Sequence, residues 1–172
     1  MNSPKKVLII GQKKMKFNIR EASENDTTFI LQMIKELAAF ENAPQEVITT
    51  AEQLAEDGFS DHPLFKALII EAKDIQIGFC LYYYRYSTWK GKSLYLEDLY
   101  IQPEYRGNGI GKYMMRYLAS IAVKEKCGRF EWQVLDWNEP AIKMYKQLGT
   151  DLDEEWINCR LEGNSIKKLA LD

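Results

Sequence analysis

Two adjacent carboxylic acids, Glu97 and Asp98, interrupt the apolar and aromatic run "SLYLEDLYI". Neighbouring side chains of a strand point to opposite faces, so one of the two can face a cavity while the other points away. Carboxylates beside aromatic rings suit the recognition of a cationic substrate. Solvated charges at the end of a strand explain the pair equally well, and the local sequence leaves both interpretations open.

A glycine-rich stretch, "YRGNGIGK", follows this run and precedes an amphipathic segment. It is not a Walker A loop, because Arg106 and Tyr113 stand where that motif needs glycine and Ser or Thr, and its G-x-G-x-G spacing is not the Rossmann G-x-G-x-x-G. Backbone N–H groups of such a loop, the following helix dipole and Arg106 can together bind an anion. The stretch therefore predicts a phosphate site, with an ordinary flexible turn as the alternative.

A third candidate, Tyr145, lies in "NEPAIKMYKQLG". Asn138, an early proline and the terminal glycine predict a helix over 138–149. Helical periodicity places Ile142 and Leu148 near the face of Tyr145, which favours core packing for this side chain. A phenol with a pKa near 10 can also act as a general acid.

The length of 172 residues predicts one domain, over residues 16–172, preceded by an N-terminal extension at 1–15. Strands are predicted at 16–22, 66–72, 75–87, 93–101 and 129–136, with two more in "EEWINCRLEG" and "SIKKLAL". Helices are predicted at 23–41, at 50–58, after the glycine stretch and at 138–149. Such an order predicts a mixed α/β (α+β) sheet with helices on both faces.

Composition excludes several classes of protein. The 172 residues carry a formal net charge of −2, which does not favour nucleic-acid binding, and no run approaches the roughly 20 apolar residues of a membrane span. Three cysteines without a CxxC pair indicate reduced thiols in a cytoplasmic protein. A single histidine, His62, gives no support to a metal site, so none is expected.

The stretch "YRGNGIGKYMM" resembles the R/Q-x-x-G-x-G/A loop with which the GNAT acetyltransferase superfamily holds the pyrophosphate of acetyl-CoA, and the predicted element order is similar to that fold. The resemblance implies a mixed, mostly antiparallel sheet that is splayed at the acetyl-CoA site. It implies acetyl-CoA as cosubstrate and no metal. The cofactor-binding residues that it implies are Leu99, Tyr100, Ile101, Arg106, Gly107, Asn108, Gly109, Ile110, Gly111, Lys112, Asn138 and Tyr145.

Longer stretches, "YYRYSTWKGKSLYLEDLYIQPEYRG" and "LDWNEPAIKMYKQLG", resemble the diamine (spermidine/spermine) acetyltransferase family. Within that family "YSTWKG" and "AAFE" are similar to the branch acting on thialysine, because Ser87 and Thr88 replace an acidic residue and a proline of the polyamine branch. The resemblance makes Glu97 the water-mediated base and Tyr145 the acid. The amine-binding residues that it implies are Phe40, Glu41, Trp89, Glu97, Asp98, Glu131, Trp132, Gln133 and Glu155.

We therefore expect a cytoplasmic, homodimeric N-acetyltransferase that transfers acetyl directly from acetyl-CoA to a primary amine of a small molecule. A thialysine- or lysine-like amino acid is favoured over a polyamine, because the missing acidic residue at Ser87 leaves less negative charge for a polycation. Two alternatives stay open: acetylation of a protein or peptide amine, and a non-catalytic module that binds acyl-CoA.

Overall fold

The computed structural model describes residues 15–171 in two compact units, which divide between Leu135 and Asp136. The predicted extension at 1–15 therefore lies almost wholly outside the described residues. The first unit contains β1 (Asn18–Glu21), α1 (Thr27–Phe40), α2 (Ala51–Phe59), β2 (Lys66–Ala72), β3 (Ile75–Ser87), β4 (Gly91–Ile101), α3 (Ile110–Lys124) and β5 (Arg129–Glu131). The second unit contains α4 (Glu139–Gln147) and α5 (Asn164–Leu171).

The five strands form one sheet in the order β1-β2-β3-β4-β5. The first four pair antiparallel, and β5 pairs parallel with β4. That last pairing joins only Ser93–Tyr95 to Arg129–Glu131. In the described sheet, the rest of β4 up to Ile101 is thus open on its β5 side, while its other edge stays paired with β3. The predicted mixed, mostly antiparallel sheet is confirmed.

Helices cover both faces of this sheet. On one face, alternate strand residues form a core with α1 and α2 that contains Ile30, Met33, Leu54, Ala67, Ile69, Phe79, Leu81 and Tyr100. The intervening residues Cys80 and Tyr82 are buried as well, on the opposite face. There α3 packs against β4 and β5 with an apolar stripe that includes Met114 and Leu118. Each such fully buried side chain contributes about 1.5–3 kcal/mol of hydrophobic stabilisation.

Polar residues fix where the helices begin, as the sequence predicts. The Asp26 carboxylate accepts a hydrogen bond of 2.8 Å from the Ser23 N–H in the 3-10 turn that leads into α1. The Thr50 hydroxyl caps α2. In the second unit, Asn138 Oδ1 accepts the Ala141 N–H at the start of α4. These side chains satisfy N–H groups that have no partner within the first turn of a helix.

The two strands predicted at the C-terminal end are wrong. Residues 154–163 contain no strand, and the segment "SIKKLAL" lies in α5. The physical reason is the spacing of its apolar residues: Ile166 and Leu169 lie three apart, which places them on one side of a helix but on opposite faces of a strand. The strand predicted at 129–136 is also shorter, because β5 ends at Glu131.

Candidate active site

A β-bulge places Glu97 and Asp98 on the same face of the sheet. Leu81 pairs with Asp98 but Tyr82 pairs with Leu96, so Glu97 is an extra residue in β4. Leu81 and Tyr83 lie on one face of β3, and their cross-strand partners, Asp98 and Tyr95, lie on the same face of the sheet. Glu97 lies two residues after Tyr95 and therefore shares this face with Asp98. The expectation that adjacent positions send these two carboxylates to opposite faces is therefore wrong, because the bulge shifts the alternation by one residue.

Three carboxylates interact around this bulge. Burial, followed by the negative charges of Glu97 and Glu41, raises the pKa of Asp98 to about 7. Glu41 follows the last residue of α1, and partial burial of its carboxyl raises its own pKa. Glu41, at the end of α1, thus lies close enough to β4 for its charge to raise the pKa of Asp98. Such a group of carboxylates attracts a cation, and its half-buried member titrates near neutral pH.

Two tyrosines adjoin the acidic group on its own face. The rings of Tyr83 and Tyr95 lie 5.3 Å apart between centroids. Burial, together with the charge of Glu97 and a hydrogen bond to it, raises the pKa of the Tyr83 phenol to about 12. Burial and then Glu97 also raise the pKa of Tyr95. Both phenols therefore keep their protons at neutral pH, and their rings present aromatic surface near Glu97.

An arginine pair lies beyond these tyrosines, and sequence reasoning did not identify it. The Arg85 guanidinium lies 4.7 Å from the Tyr95 ring centroid and donates from Nη2 and Nε to Glu131 at 2.8 and 3.1 Å. Arg129 Nη1 donates to the same carboxylate at 3.1 Å. The predicted amine-site residue Glu131 is thus already shared by two cations. The available signal was alternation, since Arg85 lies two residues after Tyr83 on β3.

Arg106 connects the end of α1 with β4. Its guanidinium lies 5.1 Å from the ring centroids of both Phe40 and Tyr100, and its Nε donates to the Ile101 carbonyl at 2.8 Å. Cation–π contacts of this kind contribute about 0.5–2 kcal/mol each. A residue predicted for the cofactor therefore lies against Phe40, which was predicted for the amine.

The glycine loop leads into α3 with left-handed backbone at Gly107 (φ +75°) and Gly109 (φ +76°). Apart from the chain neighbours, no atom of the described residues lies within 4 Å of a Cβ added at either position, so glycine is required there by the backbone conformation and not by crowding. The Asn108 side chain donates to the carbonyls of Tyr105 and Arg106, which fixes the loop. Gly109 is the N-cap of α3, and among the residues that the structure describes no side chain caps this helix. Its first turn includes Ile110, Gly111 and Lys112.

These features fit a bound pyrophosphate group. Helix N-termini attract anions through their free N–H groups and the helix dipole. A 3-10 turn at Pro103–Tyr105 connects the loop to Leu99, Tyr100 and Ile101, in the part of β4 whose β5-side edge is open in the described sheet. In the part of the chain that the structure describes, no group of three or more His, Cys, Asp or Glu residues could hold a metal ion. No helix described there is long and apolar enough to cross a membrane.

The second unit carries three predicted site residues. Tyr145 lies near the end of α4 with 8% of its surface exposed, and burial raises its pKa. Asn138 caps the same helix. Glu155 is exposed, and its N–H donates to the Asp153 side chain at 3.0 Å. The burial of Tyr145 agrees with the core-packing interpretation of this side chain, and its role as an acid stays a prediction.

The first unit does not bring every predicted amine-site residue to Glu97. Trp89 lies in the turn between β3 and β4 and is 78% exposed. Glu97 lies six residues along β4 from Gly91, which corresponds to about 20 Å. Trp132 and Gln133 follow the end of β5, and the Trp132 ring lies 4.8 Å from that of Phe130. Trp89 of this chain is therefore separated from the carboxylates.

Comparison with known proteins identifies the class of enzyme. The chain matches the acetyltransferase (GNAT) family over residues 30–150, more than half of its length, and belongs to that family. It is an acetyltransferase, and the family uses acetyl-CoA as cosubstrate.

Two curated relatives are similar over most of this chain. The thialysine N-epsilon-acetyltransferase of Mus musculus is 42% identical over 88% of this chain and 96% of its own length. The spermidine/spermine N(1)-acetyltransferase-like protein 1 of Homo sapiens is 43% identical over 90% of this chain but only 24% of its own length. An integron cassette protein from the mobile metagenome of V. cholerae, a solved structure, has a TM-score of 0.75 at 28% identity, over 91% of this chain and 98% of its own.

Proposed function

We propose that this enzyme transfers acetyl from acetyl-CoA to a primary amine of a small molecule, either a thialysine- or lysine-like amino acid or a polyamine. The observation that carries the proposal is that three carboxylates, those of Glu41, Glu97 and Asp98, lie close enough together for the first two to raise the pKa of the third. Glu97 and Asp98 lie on β4, which a short 3-10 turn connects to the glycine loop, and Glu41 follows the end of α1. An acidic site suits an acceptor that arrives as an ammonium ion.

The acceptor must lose a proton before it can attack. An alkylammonium with a pKa near 10.4 is neutral in only about one molecule in a thousand at physiological pH. Glu97 would accept that proton through a water molecule. Asp98, whose pKa of about 7 makes it a stronger base than an ordinary carboxylate, would hold the cation and can accept the proton in turn. The amine nitrogen then forms its bond to the acetyl carbon as the carbon–sulfur bond breaks.

The chain offers a coherent set of residues for the cosubstrate. Acetyl-CoA, when bound, would supply the acetyl group as a thioester. The N–H groups of residues 107–112 would bind its phosphates with Arg106 nearby, and Asn138 would contact it from α4. Backbone groups of Leu99, Tyr100 and Ile101 would bind along the open edge of β4 and steady the thioester oxygen. Tyr145 would donate its phenolic proton to the departing sulfur, and its raised pKa keeps that proton in place until then.

The remaining predicted residues would complete the amine site. Phe40, Glu131, Trp132, Gln133 and Glu155 are proposed to contact the acceptor. Trp89 is exposed in the turn before β4 and lies far from Glu97, which supports a homodimer in which Trp89 of one subunit approaches the amine site of the other. We place the enzyme in the cytoplasm, with a small-molecule amine as its partner and no role in binding nucleic acid or membranes.

A free-thiol assay of CoA release from acetyl-CoA tests this function. The acceptors would be thialysine, lysine, ornithine, spermidine, spermine, putrescine and a few peptides, with Tyr145→Phe beside the wild type. Strong turnover of a small amine, much reduced in the variant, is the expected result. Turnover of peptides alone would transfer the assignment to protein acetylation. Binding of acetyl-CoA without any turnover would indicate a non-catalytic module instead.

A further inference from the structure

The amine site has a positively charged end as well as an acidic one. At the acidic end lie Glu97 and Asp98; at the other end, Arg85 and Arg129 share the single carboxylate of Glu131. Two guanidinium groups and one carboxylate leave one positive charge without a counter-charge in this group. An acceptor that is positive along its whole length would meet repulsion there, whereas one with a negative group would be attracted.

Arg85 retains donors for such a negative group. Glu131 occupies its Nη2 and Nε, and the Tyr95 ring lies against one guanidinium face. Its Nη1 has no hydrogen-bond partner among the residues that the structure describes, and 47% of the side chain is exposed to solvent. A guanidinium has five N–H donors in a rigid planar arrangement, which suits a carboxylate. The contacts with Tyr95 and Glu131 hold this group in place before any ligand binds.

The spacing along the strands suits a short bifunctional molecule. Arg85 pairs with Ser93, and Glu97 lies four residues further along β4, so the two backbone positions are about 13 Å apart. The Arg85 guanidinium lies 4.7 Å from the ring centroid of Tyr95, which is two residues closer to Glu97 than Ser93 is, so the two charged groups lie closer together than the two backbone positions. A short molecule with an ammonium group at one end and a carboxylate at the other suits this separation. Tyr83 and Tyr95 lie between the two ends and offer aromatic surface to the methylene groups.

We propose that Arg85 determines acceptor specificity by binding the carboxylate of an amino-acid acceptor whose side-chain amine is held at Glu97 and Asp98. The inference rests on the proposed N-acetyltransferase function and deepens it. Arg85 would favour a zwitterionic acceptor, because a polyamine has no anionic group for Arg85 to bind and would place a second cation beside it.

The test uses acceptors that differ only at the carboxylate. Thialysine, its carboxamide and its decarboxylated diamine form one series; lysine, lysinamide and cadaverine form another. Wild-type enzyme should acetylate the amino acid with a kcat/KM at least about ten-fold higher than the amide or the diamine, since hydrogen bonds to charged groups typically contribute factors of ten to a hundred.

Variants at Arg85 assign the preference to this side chain. Arg85→Gln should raise KM for the amino acid about ten- to hundred-fold, change its kcat little, and leave KM for the amide within about three-fold. Arg85→Lys should restore part of the preference, because it keeps the charge but not the planar donors. The matched control is Arg116→Gln, which removes an exposed arginine of α3 and should change neither KM.

The outcomes separate the two proposals. If the wild type acetylated all members of a series with similar kcat/KM, or if Arg85→Gln weakened amino acid and diamine equally, the role of Arg85 would be overturned while the proposed function stood. If no amine released CoA, the proposed function would fail and the role of Arg85 with it. The substrate series on the wild type keeps the test decisive even if Arg85→Gln does not fold.

Discussion

Glu97 and Asp98 are consecutive in the sequence and yet lie on one face of the sheet, because Glu97 is an extra residue in β4 opposite Leu81 and Tyr82. The bulge concentrates negative charge at one point on the sheet surface. Burial, with a further contribution from the negative charges of Glu97 and Glu41, raises the pKa of Asp98 to about 7.

Asp98→Asn should weaken the amine site while stabilising the fold. Loss of the carboxylate should raise KM for the acceptor amine about ten-fold or more. Because the folded-state pKa of about 7 exceeds the unfolded value of 3.8, ionisation of Asp98 costs stability as pH rises from about 4 to about 7. At pH 8 the variant should therefore be more stable than wild type by about 1–3 kcal/mol, or several degrees in Tm.

Thermal unfolding at pH 4 and pH 8 checks the sign of this effect, since the gain in Tm should largely disappear at the lower pH. The control is Asp74→Asn, the same change in the exposed turn between β2 and β3. An Asp98→Asn enzyme that was less stable than wild type at pH 8 would contradict the raised pKa.

Tyr145→Phe should lower kcat by about a hundred-fold or more, because loss of a general acid typically costs factors of 10² to 10⁴. KM for acetyl-CoA should change little, since the ring still packs. Burial raises the Tyr145 pKa above its ordinary value, so deprotonation of this acid should not reduce wild-type kcat below about pH 10.

Steady-state kinetics from pH 6 to pH 10 would measure both effects. Tyr86→Phe serves as the matched control, because Tyr86 is 78% exposed and has no proposed role. A Tyr145→Phe enzyme with kcat within about three-fold of wild type would show that the tyrosine is a packing residue only.

The parts of this site that sequence could predict are those determined by local chemistry. The bounds of β2 and β3 agree with prediction, because strongly apolar runs end at the turn formed by Lys73 and Asp74. The glycine loop was predictable because Gly107 and Gly109 adopt backbone conformations that other residues avoid. The helix caps at Thr50 and Asn138 follow for a similar local reason.

The parts that sequence could not predict depend on register and on distant pairing. No residue type marks the bulge at Glu97; it exists only as a shift between β3 and β4. The contact of Arg85 with Glu131 joins positions 46 residues apart. The segment forming α5 was misassigned because a short apolar run is compatible with either a strand or a helix.

Asp26→Asn should destabilise the fold more than any change at an exposed acid. The buried carboxylate accepts from Arg20 Nη1 and Nη2, each at 2.7 Å, from Gln76 at 2.7 Å and from the Ser23 N–H at 2.8 Å. Removing one charge from a buried ion pair typically costs about 3–5 kcal/mol, and because 36% of the Arg20 side chain is exposed we expect a loss at or below the lower end of that range. These contacts, above all the Arg20 bond, hold the Asp26 pKa well below its usual value.

The stabilisation from Asp26 is therefore present above about pH 4 and is lost as pH falls towards its lowered pKa. Urea unfolding of wild type and variant at pH 7 and pH 3 would show the difference in stability narrowing at the lower pH. The control Glu24→Gln alters an exposed acid of the same turn. An Asp26→Asn variant whose free energy of unfolding at pH 7 lay within about 1 kcal/mol of the wild-type value would contradict the stabilisation proposed for this network.

Gly109→Ala should impair acetyl-CoA binding beyond its cost to stability. At φ +76° an alanine loses about 1–2 kcal/mol, and relief of that strain would turn the first N–H groups of α3 away from their present directions. We expect KM for acetyl-CoA to rise at least about ten-fold, measured by CoA release at saturating amine. Gly91→Ala provides a matched control, because Gly91 has φ +78° and equally open surroundings but lies at the start of β4. The two variants should have similarly lowered Tm values, and only Gly109→Ala should change the KM for acetyl-CoA. If both variants had the same KM for acetyl-CoA, the proposal that the loop binds the cosubstrate would be wrong.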